Sequence, residues 1–106
     1  MIDEGTIERA AKALLGAAPR ASTVILFGSY GAGRAGPESD LDFLVVEPEI
    51  KDRIGEMARL SRLLGKMLIP ADVVVVSREL FERFRDTPNT LAHEASRGGR
   101  VYESVA

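Results

Sequence analysis

Asp40 and Asp42 stand two positions apart in Ser39-Asp40-Leu41-Asp42, where a glycine-rich stretch gives way to an apolar run. In an extended chain successive side chains alternate, so both carboxylates project to one side while Leu41 and Phe43 turn to the core. Asp72 begins a second apolar run, Ala71 to Val76, and with Val74 and Val76 in its phase it can reach that side from the next strand. Three carboxylates within a few ångströms repel one another and raise each other's pKa values unless a cation neutralises them. Magnesium suits such a set. It prefers hard oxygen ligands, takes one or two carboxylates plus substrate phosphates, and as a pair of ions about 3.5–4 Å apart stabilises attacking and leaving oxygens together. The plainer alternative is a turn followed by a strand start, where Ser and Asp are common, with Asp72 merely opening a buried strand. Residue types alone leave both readings open.

Gly28 and Ser29 follow the apolar run Thr23 to Phe27 directly, so the backbone can turn sharply and offer N–H groups and a hydroxyl to a phosphate. Gly28 to Gly33 fits the opening of a P-loop, but Arg34 and Ala35 stand where Lys and Ser or Thr are required. Gly31 to Gly36 spells GxGxxG, yet Pro37 interrupts the helix that a dinucleotide fingerprint needs. A purely structural glycine loop is the remaining rival.

Apolar periodicity and turn residues divide the chain into helices and strands. Ile2 to Ala18 carries Ile7, Ala10, Ala11, Leu14 and Leu15 at helical spacing, with Pro19 closing it. Thr23 to Phe27 is a buried strand, and Gly28 to Ser39 a loop with a short helical turn after Ser29. Leu41 to Glu47 is a second strand, Ile50 to Leu68 an amphipathic helix, and Ala71 to Val76 a third strand. Ser77 is an N-cap for a helix burying Leu80, Phe81 and Phe84; Pro88 to Ser96 is a further helix, and Arg100 to Glu103 a final edge strand. A strand, helix, strand crossover makes the second and third strands parallel, and the short loop returns the second beside the first as an antiparallel neighbour. Those rules put the Gly28-Ser29 turn and the three aspartates at one edge of one mixed sheet. The expected fold is α/β (α+β), a single domain over residues 1–106 with helices flanking the sheet.

Bulk properties narrow the chemistry. A chain of 106 residues, 45% hydrophobic, matches one domain with one respectable core. Zero cysteines and a single histidine, His93, exclude thiolate catalysis and cysteine or histidine-rich metal sites, so any metal is held by oxygen. The net charge of −2 and the scattered basic residues leave no footprint for direct nucleic-acid binding. No apolar run is long enough for a membrane span and the N-terminus is charged, so the expected location is the cytoplasm.

With Gly28-Ser29, Gly33, Ser39-Asp40, Asp42 and Asp72 in view, the chain resembles the DNA polymerase β-like nucleotidyltransferase superfamily, and in particular the minimal, MNT-type nucleotidyltransferases. Their GS turn, the glycine five positions on, the SDxD eleven positions on and a later acid inside an apolar run all fall in step here. The segment from Ile69 to Glu103 is similar too. The resemblance implies that Gly28 and Ser29 hold NTP phosphates and that Asp40, Asp42 and Asp72 bind magnesium, as two ions. It further implies that Asp72 is the general base for an acceptor hydroxyl, with ATP as co-substrate. Ala32 departs from the pattern where relatives often carry arginine, and Arg34 is the nearest substitute.

The implied activity is transfer of AMP to a hydroxyl on a partner, as in antitoxins paired with HEPN-domain toxins. A non-catalytic antitoxin and a small-molecule transferase similar to the aminoglycoside enzymes are the alternatives. The second of these suffers because no segment remains to form a helical substrate domain, so a partner is expected to supply the acceptor; a homo-oligomer is left open. Leu91, Val101 and Tyr102 are candidates for a docking patch or for core. His93 reads as structural, Arg97 and Arg100 as parts of a solvated turn, and Tyr30 as packing or as a wall of the nucleotide pocket.

Overall fold

The computed structural model describes residues 1–103. Helix boundaries follow their caps. The Asp3 side chain accepts the Thr6 N–H at 2.7 Å and starts α1 (Glu4–Ala17). Asp52 accepts the Gly55 N–H at 3.0 Å and starts α3 (Arg53–Lys66). Both helices are shorter than the apolar periodicity suggests, because a side-chain cap requires an extended backbone at the cap residue. At the far end of α3, Leu68 takes a left-handed φ of 58° and stops it. Between α1 and α3 come β1 (Thr23–Phe27), the single turn α2 (Gly28–Gly31) and β2 (Leu41–Glu47).

After α3, β3 (Ala71–Ser77) runs one residue beyond Val76, and Ser77 accepts the Leu80 N–H at 3.1 Å to begin α4 (Arg78–Phe84). Thr90 caps the His93 N–H at 3.2 Å and sets α5 at Leu91–Gly98, later in the chain than the Pro88 to Ser96 expected. Finally β4 (Arg100–Glu103) pairs antiparallel with β1, as an edge strand should.

The sheet order is β3-β2-β1-β4, with β2 antiparallel to β1 and parallel to β3. Both faces are covered. Ile7, Ala10, Ala11 and Leu14 of α1 and Leu60 and Leu64 of α3 pack on Val24, Leu26, Leu41, Phe43, Val45, Val73 and Val75. On the opposite face Phe81 of α4 and Ala92 and Ala95 of α5 cover Ile25, Phe27, Leu44 and Val46. Double coverage explains why these strands read as continuous apolar runs instead of alternating ones. Asp42 and Asp72, in phase with Leu44, Val46, Val74 and Val76, therefore belong to the α4/α5 face. Among the described residues no helix is long and apolar enough to cross a membrane.

Candidate active site

Parallel pairing of β2 with β3 sets Asp42 directly opposite Asp72, one residue into each strand. The same Asp42 is opposite Phe27, the last residue of β1, so the β1 to α2 turn lies against it. Gly28 has a φ of +68° and its α-carbon faces the Asp42 carboxyl so closely that a Cβ there would collide with Oδ2. Only glycine meets both demands without strain. The Gly28-Ser29 turn and the aspartates thus form one contiguous feature, reached from opposite ends of the connection between β1 and β2.

Ser39 acts locally, its hydroxyl accepting the Gly36 N–H at 3.0 Å and closing the turn that leads into β2. Asp40 follows it and is exposed, while Asp42 is half-buried and Asp72 exposed. Burial, first, and then the charges of Asp72, Glu94 and Asp40 hold the Asp42 carboxyl above its ordinary range. Glu94 is on α5, and sequence reasoning passed over it. Among the described residues no three His, Asp or Glu side chains stand ready to enclose a metal ion. The donor set is nonetheless all oxygen and mutually repulsive, which suits a hard divalent cation bridging carboxylates and phosphate.

Beside this edge opens a cleft of about 730 Å³ between the β1 to α2 turn and α5. Gly28, Ser29, Ala32 and Arg34 line one side, and Asn89, Thr90, His93, Glu94, Arg97 and Gly98 the other. Thr90, His93, Glu94 and Arg97 follow i, i+3, i+4 and i+7 spacing, one face of a helix. Their companions Ala92 and Ala95 are buried against the sheet, which turns this polar row toward the cleft. His93 and Arg97, set aside as structural and solvated in the sequence, are cleft residues. Tyr30 is not among them; it is buried in the α1/α3 core, where its hydroxyl accepts the Ile2 N–H at 2.8 Å. Leu91 and Tyr102 likewise lean on the two cores, leaving Val101 as the exposed member of that trio.

A two-faced mixed sheet with paired aspartates at one edge, a glycine-serine turn over them and a polar cleft beside it makes this an α+β domain with its candidate site at that edge. The chain belongs to the nucleotidyltransferase domain family, which matches residues 7–95. Comparison with curated proteins found no match.

Solved structures share the fold. One is a toxin-antitoxin complex with AMP-PNP, at 22% identity and TM-score 0.64, with 97% of this chain covering 75% of that one. Another is a tri-AMPylated Shewanella oneidensis HEPN toxin with its MNT antitoxin, at 19% identity and TM-score 0.63, with 97% of this chain and 74% of that one covered. A mutant of the MntA-HpeT toxin-antitoxin pair aligns at 21% identity and TM-score 0.59, with 97% and 75% covered.

Proposed function

We propose that this chain is a metal-dependent adenylyltransferase that moves AMP from ATP to a hydroxyl on a partner protein, a HEPN-domain toxin for which it serves as antitoxin. The observation that carries the reading is the opposition of Asp42 and Asp72 beneath the Gly28-Ser29 turn. Membership of the nucleotidyltransferase domain family supports it, as does likeness in fold to an MNT antitoxin complexed with an AMPylated HEPN toxin.

Asp40, Asp42 and Asp72 would hold magnesium, which when bound neutralises the polyphosphate and the repulsion among the three acids. Ser29 and the backbone of the turn orient the phosphates. The acceptor oxygen forms a bond to the α-phosphorus as the bond to the bridging oxygen breaks, and pyrophosphate departs with that electron pair. The acceptor's proton passes to the Asp72 carboxylate. Positioning and charge neutralisation supply most of the acceleration, as is usual for phosphoryl chemistry.

Co-expression with a neighbouring HEPN-domain chain, then incubation with ATP and magnesium, tests this by mass spectrometry. The expected result is a gain of one or more AMP units on a tyrosine of that chain, absent for Asp42→Asn. A tight complex without modification would make the chain a binding antitoxin instead.

A further inference from the structure

Glu47 ends β2 at the opposite end of the sheet from Asp42, roughly 17 Å along the strand, and the transferase reading gives it no part. Only 2% of Glu47 is exposed, and its Oε2 has no hydrogen-bond partner among the described residues. A buried acceptor without a donor is unfavourable, and native structures keep few of them. Ser22, one position beyond the Thr23 to Val46 pair and so beside Glu47 across the two strands, is likewise buried with an unpartnered hydroxyl.

Glu47 lines a cavity of about 400 Å³ between the loop after α1 and the β2 to α3 connection. Glu47, Glu49, Asp52 and Glu56 bring carboxyl groups to it, against Lys51 and Arg59; the loop after α1 contributes Pro19 and no charge. Two of the acids are engaged. Asp52 caps α3 through the Gly55 N–H, and both Glu56 oxygens accept from the Arg59 guanidinium at 2.8 and 2.9 Å. Glu47 is left without a donor of its own. Burial first, and then Glu56, push its carboxyl up to about 8, with Arg59 opposing.

The surroundings select the occupant. Among the described residues no three His, Asp or Glu side chains stand ready to enclose a metal ion, so a bare divalent ion finds too few ligands here. A cation that carries its own N–H donors needs only one free carboxylate, as the grip of Arg59 on Glu56 shows in the same cavity. Pro19 and Ile50 add apolar wall against which a methylene stem can lie.

We propose that this cavity binds the head of an alkylammonium or alkylguanidinium group, with Glu47 Oε2 as its acceptor. The half-exposed Arg59 side chain yields to admit it. The head belongs to a free polyamine or to a lysine or arginine side chain of a partner protein. This site stands independently of nucleotide transfer.

The test is titration of the whole 106-residue chain with methylguanidinium, spermidine and the blocked amides of lysine and arginine, for the parent, Glu47→Gln and Asp42→Asn. Taking up the head requires the Glu47 carboxylate, so binding releases a proton. Affinity for methylguanidinium, which stays charged, should tighten about tenfold per pH unit up to about 8 and level off above. Glu47→Gln copies the protonated acid in shape, and circular dichroism should show an unaltered fold. Its affinity should nonetheless fall roughly 10- to 100-fold, the loss of one charge-assisted contact, and its pH slope should vanish. Asp42→Asn should bind as the parent does, which separates this cavity from the aspartates at the other end of the sheet. Tighter binding of spermidine than of the blocked amino acids assigns the site to a free polyamine, and the reverse order assigns it to a partner's side chain. Equal affinity in the parent and Glu47→Gln, loss of binding in Asp42→Asn, a pH-independent affinity, or a parent that binds none of these probes overturns the site. Should Glu47→Gln not fold, the proton released on binding to the parent decides alone.

Discussion

Asp42 and Gly28 are in contact across the β1 to β2 connection, and each explains the other: the carboxyl occupies the space a side chain at residue 28 would need. A half-buried acid is held against a phosphate-suited turn at the one edge where a second acid, Asp72, meets it from the neighbouring strand.

Asp42→Asn is expected to lower AMP transfer by at least about 10²- to 10³-fold, the usual loss when one electrostatic stabiliser of a transition state is removed. Folding should not suffer. Because burial and like charge raise the Asp42 pKa, its ionisation opposes folding, and the neutral amide removes that opposition. Thermal unfolding at neutral pH should show an equal or higher midpoint. Activity equal to the parent's would exclude the metal mechanism.

Gly28→Ala should damage both folding and nucleotide binding, since the added carbon needs a left-handed backbone at φ +68° and displaces the Asp42 carboxyl. A left-handed non-glycine residue costs about 1–2 kcal/mol before any clash. Denaturant unfolding and ATP titration together check this; unchanged ATP affinity would make the turn purely structural.

Stability should fall as pH rises from about 4.5 to about 8. The residue responsible is Glu47, 2% exposed at the far end of β2, whose carboxyl is pushed up to about 8 by burial and by Glu56. In that window the folded state binds a proton that the unfolded state has released, so raising pH favours unfolding. Glu56, lowered chiefly by its hydrogen bond with Arg59, acts the other way and only on the acid side of the ordinary glutamate range. Urea midpoints across this range should decline for the parent and flatten for Glu47→Gln. A flat parent profile would show that Glu47 is not protonated in the fold.

Leu68→Gly should stabilise the domain by about 0.5–1 kcal/mol, raising the melting midpoint by a few degrees. Leu68 is 89% exposed and takes a φ of 58°, so it contributes little packing while bearing left-handed strain. The extra freedom of glycine in the unfolded chain offsets part of the gain. Differential scanning calorimetry checks the sign; a lowered midpoint would mean that Leu68 packs more usefully than its exposure implies.

Local signals were enough to read the strands, the order of elements and the two-residue spacing of Asp40 and Asp42. Short-range sterics and hydrogen bonding decide these features, and each is written in a handful of adjacent residues. Connection rules extended that reading to the sheet, because a crossover helix and a short loop each admit few arrangements. They put Asp42 and Asp72 at strand starts at the same end of the sheet, and the structure adds the register that sets one directly opposite the other. Helix ends were blurred by a few residues, since apolar periodicity does not say which polar side chain folds back to cap.

The second wall of the site lay beyond local reading. Whether Glu94 and Arg97 face solvent or the Gly28-Ser29 turn depends on how α5 is rotated about its axis, and packing of Ala92 and Ala95 against strands far away in the chain sets that rotation. Glu47 is a like case. Its strand phase matches Phe43 and Val45, but only α3 lying over that face turns a strand-terminal glutamate into a buried acid. Residue types and their adjacency therefore set which acids begin the strands and which turn precedes them. Tertiary packing decided which helix face closes the cleft, because hydrophobic burial is non-directional along the chain and its outcome is settled only when distant surfaces meet.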